Sequence, residues 1–204
     1  TENKDSGIVI KDNKGILPEG RGNTIFRAVE LLRERYRVRK GIGVFVEKNI
    51  PIGSGLGGPS SNAATTLREL ARIWNLDVKE DELLDLGKTI GADVPLFLYG
   101  RPCVMRGIGD IIAPVELPRI WYLVVYPGVE IPTKEVYGRL KIVLTNTEND
   151  IKLLGKFKTL YDIANLLEND LERVGTVMCP QIKIIKTVLQ QGGAVGSLMS
   201  GSGS

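Results

Sequence analysis

A glycine-rich segment is the first part of the sequence whose residue types could carry chemistry. It reads Pro-Ile-Gly-Ser-Gly-Leu-Gly-Gly-Pro-Ser-Ser, with a strand-like pattern before it and a helix-like pattern after it. Glycine lets a backbone approach an anion closely, and successive N–H groups together with a helix start attract negative charge. The segment therefore predicts a phosphate-binding loop, formed by Pro51, Ile52, Gly53, Ser54, Gly55, Leu56, Gly57, Gly58, Pro59, Ser60 and Ser61.

Two other glycine loops and a simple linker are the competing interpretations of this segment. A nucleotide P-loop ends in Gly-Lys-Ser/Thr, whereas Gly58 is followed here by Pro59. The dinucleotide spacing G-x-G-x-x-G is met by Gly53, Gly55 and Gly58, but no apolar strand precedes the acid at Asp77. A mobile linker is disfavoured because the glycines are dense and a helix start follows them directly.

A single aspartate, Asp93, is the candidate acid or base. The chain contains no histidine, which removes the commonest general base. In phosphoryl transfer the attacking hydroxyl loses its proton late, so an aspartate suffices as the acceptor. The competing interpretation is that Asp93 only caps a turn before Val94 and Pro95, which is a common role for aspartate. The residues alone leave both interpretations open.

The first half of the chain predicts the elements that would position these residues. Asn23 or Thr24 is a suitable cap for an amphipathic helix, since apolar residues follow at spacings of three and four. The predicted elements, in chain order, are a hairpin of Ile8–Ile10 with Ile16–Leu17, a helix carrying Ile25, Val29 and Leu32, a strand over Gly41–Lys48, a helix carrying Ala64, Leu67, Leu70, Ala71 and Trp74, a helix over Glu80–Ile90, and strands over Pro95–Tyr99 and Cys103–Met105.

The second half begins at a proline-flanked boundary, Pro114 to Pro118. Its predicted elements are a buried strand over Trp121–Tyr126, helices over Thr133–Leu140, Leu160–Arg173 and Pro180–Gln191, an ambiguous segment over Ile151–Lys158, and a strand starting at Ser197–Met199. The run Asn169-Asp170-Leu171-Glu172 is interpreted as helix packing and capping. Strands and helices mix without strict alternation, which favours an α+β fold over a doubly wound sheet.

Composition excludes several classes of function. The 204 residues are 43% hydrophobic with a net charge of only +3, typical of a globular protein and weak support for a nucleic-acid partner. The basic run Arg33–Lys40 is interpreted as the solvated end of a helix. Cys103 and Cys179 are far apart with no histidine, so they predict buried thiols in a reducing compartment and no zinc site. No run of 18 apolar residues exists, so we expect a cytoplasmic protein without membrane contact.

The glycine-rich segment resembles the signature of the GHMP kinase superfamily. That signature reads Pro-x-x-x-Gly-Leu-Gly-(Gly/Ser)-Ser-Ser-(Asp/Asn)-Ala, and the chain has Pro59 in place of the last glycine before the two serines. Proline cannot donate an N–H to phosphate, but it is tolerated in the first turn of a helix. The resemblance implies that the loop binds ATP and that Mg²⁺ bridges the phosphates.

Two further runs resemble the branch of this superfamily that phosphorylates a cytidine diphosphate sugar alcohol. Gly-Ala-Asp-Val-Pro implies that Asp93 is the catalytic residue. Pro-Gly-Val-Glu-Ile-Pro-Thr ends at Thr133, which would hydrogen-bond the cytidine, and Tyr137 would stack on it. Ser200–Ser204 resembles the third motif of the superfamily, so Gly201 is expected close to the phosphates.

The resemblance extends from Asn23 to Ser204 and implies a two-domain α+β fold. A ribosomal-S5-like ATP-binding domain would cover residues 1–116 and a ferredoxin-like domain residues 117–204. The implied enzyme is a monomer or homodimer that transfers phosphate from ATP to a small-molecule alcohol in isoprenoid precursor synthesis. The branch's Pro-Ala-Lys-Ile-Asn and Gly-Tyr-His segments have no match, so we expect further residues before Thr1 in the parent protein.

Two alternative functions stay open at the level of sequence. The first is another GHMP kinase, acting on homoserine, mevalonate or galactose, which the Gly-Ala-Asp-Val-Pro and Pro-Gly-Val-Glu-Ile-Pro-Thr runs disfavour. The second is a non-catalytic nucleotide- or RNA-binding module, because the S5-type fold also serves RNA.

Overall fold

A computed structural model describes residues 2–3, 7–109, 111–140 and 157–203 of the chain. The chain divides into two compact units. The first comprises Thr1–Asn49 and Gly57–Pro114, and the second comprises Ile50–Leu56 and Val115–Ser204. The glycine-rich segment therefore contributes its first half to the second unit and its second half to the first.

The first unit contains a three-stranded sheet with the strand order β1-β3-β2. Its strands are β1 (Glu2–Asn3), β2 (Ile8–Asp12) and β3 (Gly41–Val46). The central strand β3 pairs antiparallel with β1 and parallel with β2, with Ile8 opposite Ile42 and Asp12 opposite Val46. A parallel pair needs a crossover, which the helix between β2 and β3 supplies.

The predicted hairpin of Ile8–Ile10 with Ile16–Leu17 is wrong. The Asp12 carboxylate accepts hydrogen bonds from the N–H groups of Lys14, Ile16 and Leu17, so this stretch closes into a loop and forms no strand. Desolvation acts to raise the pKa of the Asp12 carboxyl, but these N–H groups outweigh it and lower that pKa below its usual value.

Three predicted helices of the first unit are confirmed. They are α1 (Thr24–Tyr36), α2 (Gly58–Ile73) and α3 (Glu80–Ile90). Asn23 caps α1, because its side chain accepts a hydrogen bond of 2.9 Å from the N–H of Ile25. The apolar faces of the three helices form one core with β3, made of Ala28, Val29, Leu32, Ile42, Ala63, Ala64, Leu67, Leu70, Trp74, Leu86, Ile90, Val94 and Leu98.

The predicted strand over Pro95–Tyr99 is wrong, because this segment forms the short helix α4 (Val94–Tyr99). A short apolar run fits a buried strand and a buried helix equally well. Proline in the first turn favours the helix, and Gly100 ends it in the left-handed conformation. The predicted strand at Cys103 is confirmed as β4 (Cys103–Arg106), which pairs antiparallel with an unpredicted strand β5 (Ile111–Pro114).

The second unit contains four helices among its described residues. They are α5 (Thr133–Arg139), α6 (Leu160–Ala164), α7 (Glu172–Met178) and α8 (Gln181–Gln191). Helices α5 and α8 confirm the predictions over Thr133–Leu140 and Pro180–Gln191. A small core of Ile131, Val136, Cys179, Ile182 and Met199 lies between them.

Three predictions in the second unit are wrong. The helix predicted over Leu160–Arg173 ends at Ala164 as α6 and resumes at Glu172 as α7; just before α7, the side chain of Asn169 accepts the N–H of Leu171, a local bond that competes with helical bonding. The segment Trp121–Tyr126 forms no strand and is largely exposed. Ser197–Met199 forms no strand either, because the N–H of Met199 donates to the Glu172 carboxylate rather than to a neighbouring strand.

One predicted segment and the lengths of the helices remain to be described. The ambiguous segment Ile151–Lys158 lies almost entirely outside the described residues. Within the described ranges, each helix is too short or too polar to cross a membrane.

Candidate active site

Helix α2 begins within the glycine-rich segment, where phosphate binding is predicted. Gly57 occupies the N-cap position, and among the described residues no side chain caps the helix. Pro59 lies in the first turn, as predicted. The hydroxyls of Ser60 and Ser61 make no hydrogen bond to any described residue. An uncapped helix start leaves N–H groups free and carries a partial positive charge, so it can accept an anion.

Lys48 lies beside this helix start, and the sequence analysis missed it. Its side chain is only 6% exposed. A Cβ atom placed on Gly58 would lie 3.0 Å from the Lys48 Nζ atom. The signal in the sequence is the alternation of β3, because Lys48 continues the inward-facing series of Ile42, Val44 and Val46.

Asp93 precedes α4 and leaves its carboxylate free. It occupies the N-cap position of α4 with φ −88° and ψ −8°, but its side chain makes no capping hydrogen bond. The residue is exposed, and the carboxylate has no hydrogen-bond partner among the described residues. The interpretation of Asp93 as only a capping residue therefore loses its main support, since a cap needs the hydrogen bond that is missing.

Contacts within the first unit bring the Asp93 segment next to the start of α2. The Phe97 ring packs against Gly57, so that a Cβ atom on that glycine would lie 2.8 Å from the ring. A Cβ atom on Gly91 would lie 3.9 Å from the Ser60 hydroxyl. The Arg68 guanidinium on α2 donates hydrogen bonds to the carbonyl oxygens of Phe97 and Leu98, which ties α4 to α2.

The turn between β4 and β5 packs against the segment that carries Asp93. Gly109 has φ +88°, a conformation that favours glycine. A Cβ atom at this position would overlap the carbonyl oxygen of Ala92, the residue before Asp93. Gly109 was not predicted as a site residue, because a glycine in a short turn carries no sign of the distant residue that it contacts.

The second unit joins the first half of the glycine-rich segment to the predicted glycine turn near the C-terminus. The Ser200 hydroxyl donates a hydrogen bond of 2.8 Å to the carbonyl oxygen of Gly55. Gly55 has φ +66°, and a Cβ atom there would overlap the main chain of Ser200. Ser54 donates to the carbonyl oxygen of Pro51 at 2.9 Å, which closes the turn before these glycines. The main chain and side chain of Ser200 are thereby fixed against the first half of the glycine-rich segment.

Asn169 and Glu172 hold that glycine turn in place. The Asn169 amide donates hydrogen bonds of 2.8 Å to the carbonyl oxygens of both Met199 and Gly201. The Glu172 carboxylate accepts the N–H of Met199 at 2.9 Å and pairs with Lys186. The run Asn169-Asp170-Leu171-Glu172 therefore does more than the predicted packing and capping. The side chains of Asn169 and Glu172 also hold the glycine turn through hydrogen bonds to its main chain.

The predicted substrate-binding residues of the second unit lie around the same turn. The hydroxyls of Thr133 and Ser202 share a hydrogen bond of 2.8 Å. A Cβ atom on Gly201 would lie 3.3 Å from the carbonyl oxygen of Gly55. Tyr137 lies one turn after Thr133 on α5 with 59% of its surface exposed. Thr133 thus contacts Ser202, the residue after Gly201, while Tyr137 is largely exposed to solvent.

A metal cage made only of protein ligands is not found among the described residues. No group of three or more His, Cys, Asp or Glu side chains is arranged there to hold an ion. Mg²⁺ needs no such cage when it binds a nucleotide, because phosphate oxygens and water supply most of its ligands. The hydroxyls of Ser60 and Ser61 near the start of α2 are suitable to complete such a shell.

The α+β fold, the glycine-rich loop before an uncapped helix and the nearby free carboxylate agree with the two family models that match this chain. The GHMP kinases N terminal domain family matches residues 23–101, and the GHMP kinases C terminal family matches residues 147–204. The chain belongs to the GHMP kinases. The predicted superfamily and α+β fold class are therefore confirmed.

Relatives within this family share one name. The chain is 39% identical to the 4-diphosphocytidyl-2-C-methyl-D-erythritol kinase of Syntrophus aciditrophicus over 198 residues, which covers 97% of this chain and 71% of the relative. It is 42% identical to the enzyme of the same name from Syntrophotalea carbinolica over 189 residues, covering 92% and 67% of the two chains.

Solved structures agree with the sequence comparison. A crystal structure of 4-(cytidine 5'-diphospho)-2C-methyl-D-erythritol kinase matches with a TM-score of 0.70 and 31% identity, over 100% of this chain and 73% of that chain. Homoserine kinase from Cytophaga hutchinsonii matches with a TM-score of 0.76 over 97% of this chain and 70% of that chain, but at 20% identity it supports the fold alone.

Proposed function

We propose that the chain phosphorylates the 2-hydroxyl of 4-diphosphocytidyl-2-C-methyl-D-erythritol with ATP, a step of non-mevalonate isoprenoid precursor synthesis. Membership of the GHMP kinases supports ATP as the donor. The substrate is inferred from the names of the relatives and from the Pro-Gly-Val-Glu-Ile-Pro-Thr run. The observation that carries the proposal is the uncapped start of α2 next to the free carboxylate of Asp93.

The glycine-rich loop would bind the ATP phosphates through its main chain. The free N–H groups at the start of α2 and the positive end of the helix dipole favour a polyphosphate there. The hydroxyls of Ser60 and Ser61 are free to donate further hydrogen bonds. Because these donors are fixed by the helix, they stabilise charge on the transferred phosphoryl group without having to reorganise.

Asp93 would accept the proton of the attacking hydroxyl. The transition state of phosphoryl transfer is loose, so the hydroxyl loses its proton late and a carboxylate is a strong enough acceptor. An exposed carboxylate without a hydrogen-bond partner is free to contact a substrate hydroxyl. The packing of Phe97 against Gly57 keeps this carboxylate's segment next to the phosphate-binding helix start.

Mg²⁺ would neutralise the phosphate charge and align the γ-phosphate for transfer. Thr133, Tyr137 and Gly201 would bind the cytidine diphosphate part of the substrate. The Thr133 hydroxyl would donate to the cytosine or ribose, and the exposed Tyr137 ring offers a stacking surface. We assign the ATP-binding domain to residues 1–116 and the substrate-binding domain to residues 117–204, and we propose that the enzyme works in the cytoplasm.

A substrate panel tests the proposed function. The protein is assayed for ATP-dependent transfer to 4-diphosphocytidyl-2-C-methyl-D-erythritol, homoserine, mevalonate and galactose. We expect turnover with the cytidine substrate alone. Transfer to one of the other three alcohols, with none to the cytidine substrate, would refute the assignment. Salt-sensitive RNA binding without any kinase turnover would favour the non-catalytic alternative.

A further inference from the structure

Lys48 is a largely buried cation that forms no ion pair with the part of the first unit that the structure describes. Only 6% of the residue is exposed, yet its ammonium group has no ion pair and no hydrogen bond to a described residue. Removing a charged ammonium from water is costly unless an opposite charge or hydrogen-bond acceptors replace the water. Since no described residue pairs with the Lys48 ammonium, the group is available to an anionic ligand.

The position of the Lys48 ammonium indicates the charge of that partner. It lies against Gly58, the first residue of α2, where uncapped N–H groups and the helix dipole add further positive charge. Two positive features repel each other when they lie side by side, and an anion placed between them relieves the repulsion. The geometry fits an anion with several oxygens better than a single carboxylate, because donors converge from both the lysine and the helix start.

The main chain around Lys48 is fixed so that the side chain points at this helix start. The Asn13 side chain accepts the N–H of Lys48 at 2.9 Å, and the N–H of Asn13 donates to the carbonyl oxygen of Val46 at 3.3 Å. The end of β3 is thereby held against the loop that follows β2. The Thr24 hydroxyl donates to the carbonyl oxygen of Pro59 at 2.7 Å and fixes the first turn of α2 as well. The main chain at Lys48 and the first turn of α2 are therefore both held in position before any anion binds.

We propose that Lys48 is a phosphate-binding residue that contacts the ATP polyphosphate together with the start of α2. This inference rests on the proposed function, since it names a further residue of the same site. The ammonium donates a charge-assisted hydrogen bond to a phosphate oxygen and needs no proton transfer. Removing one partner of such a bond lowers the affinity of the protein for the phosphate ligand roughly 10- to 100-fold.

Binding of inorganic tripolyphosphate and of adenosine, measured by calorimetry, tests Lys48. The variants are Lys48→Met, Lys48→Arg and, as a matched control, Lys79→Met, which removes an exposed lysine of the same unit. We expect Lys48→Met to weaken tripolyphosphate binding roughly 10- to 100-fold, with Lys48→Arg restoring most of it. Adenosine binding and the Lys79→Met variant should stay unchanged. Wild-type tripolyphosphate affinity in Lys48→Met would overturn the inference.

A second measurement keeps the inference testable if Lys48→Met does not fold. The ¹⁵N resonance of the Lys48 ammonium in the wild-type protein should shift when tripolyphosphate is added, and an unchanged resonance would contradict the contact. Gly57→Val separates this inference from the proposed function. If Gly57→Val abolishes tripolyphosphate binding and Lys48→Met does not, only the role of Lys48 fails. If neither variant affects binding, or the wild-type protein binds no tripolyphosphate, both proposals fail.

Discussion

At the scale of single residues, the site is defined by polar groups that the protein leaves without partners. Several exposed charges of the described chain form ordinary surface ion pairs, such as Arg35 with Glu82 and Arg72 with Glu69. Asp93 and Lys48 differ, because both have lost the partners that their positions would normally provide. A helix cap without its hydrogen bond and a buried cation without its anion are groups available to a ligand.

Asp93→Asn is expected to lower kcat by roughly 100- to 10,000-fold while ATP still binds. The amide keeps the size and shape of the side chain but cannot accept the proton of the attacking hydroxyl. Steady-state kinetics combined with calorimetric titration of ATP measure both quantities. Asp81→Asn, in the first turn of α3, is the matched control and should leave kcat unchanged. Turnover near the wild-type rate in Asp93→Asn would remove this residue from the mechanism.

The sequence predicted Asp93 but not Lys48, for a physical reason. A carboxylate between a glycine and a proline stands out in a chain without histidine, so its type and setting suggest chemistry. A lysine after a strand is typical of a solvated surface. Only the burial of Lys48 makes it unusual. That burial depends on Gly58, at the start of α2, lying against the lysine that follows β3. The alternation of β3 contained that information, since it placed Lys48 on the inward face.

At the scale of elements, the long periodic helices were predictable and the short apolar segments were not. Helices α1, α2 and α3 each extend over three or more turns, so their apolar spacing is clear in the sequence. Helix α4 and the segment Trp121–Tyr126 are both short apolar runs, for which periodicity gives no answer. The parallel pairing of β2 with β3 was missed because the side chain of Asp12 organises a loop that resembles a hairpin turn in sequence.

The turn between β4 and β5 is expected to control the position of Asp93. In Gly109→Ala the new methyl group meets the carbonyl oxygen of Ala92, so the segment must shift and kcat should fall by roughly 10-fold or more. Gly15→Ala is the matched control, because Gly15 also has positive φ but has no atom close enough to meet a Cβ. Both variants should lose about 1–2 kcal/mol of stability from the strained backbone, and Gly109→Ala should lose more because its methyl group also overlaps main chain.

Kinetics and urea unfolding of the two glycine variants separate strain from positioning. We expect a loss of stability in both variants, larger in Gly109→Ala, and a loss of kcat only in Gly109→Ala. Equal kcat values in both variants would show that the turn does not position the aspartate.

Asn169→Asp is expected to release the glycine turn of the second unit. The new carboxylate keeps the oxygen that accepts the N–H of Leu171, but it brings negative charge against the carbonyl oxygens of Met199 and Gly201. Losing two hydrogen bonds should cost about 2–3 kcal/mol in the free energy of unfolding. Urea denaturation measures this loss, with Asp170→Asn as the neighbouring control. A stability equal to that of Asp170→Asn would mean that the clamp contributes nothing.

At the scale of the whole molecule, the glycine-rich segment belongs to both compact units. Pro51–Leu56 pack with the second unit, and Gly57–Ser61 begin a helix of the first. The loop and a boundary near Pro114 were predicted because residue types and spacing encode each of them locally, and phosphate binding by the loop stays a prediction. The sequence could not predict how the loop is divided, since that depends on contacts with Phe97 and Ser200 far along the chain.

Stability at high pH is expected to depend on Tyr36. Burial, reinforced by the neighbouring Glu82 carboxylate, raises the pKa of Tyr36 from 10.0 to about 12. Since the folded protein favours the protonated phenol, this contribution to stability is full below about pH 10 and is lost as the pH rises through about 12. Tyr36→Phe has no such group, so its free energy of unfolding should decline less between pH 10 and 12. Urea denaturation over this range measures both proteins, and equal slopes would contradict the assignment.

A crystal structure with a non-hydrolysable ATP analogue tests most directly whether the glycine-rich segment binds the phosphates. We predict β- and γ-phosphate oxygens about 3 Å from the N–H groups of Gly57, Gly58 and Ser60. A well-ordered nucleotide bound elsewhere, with the segment from Pro51 to Ser61 free of contacts, would contradict the account.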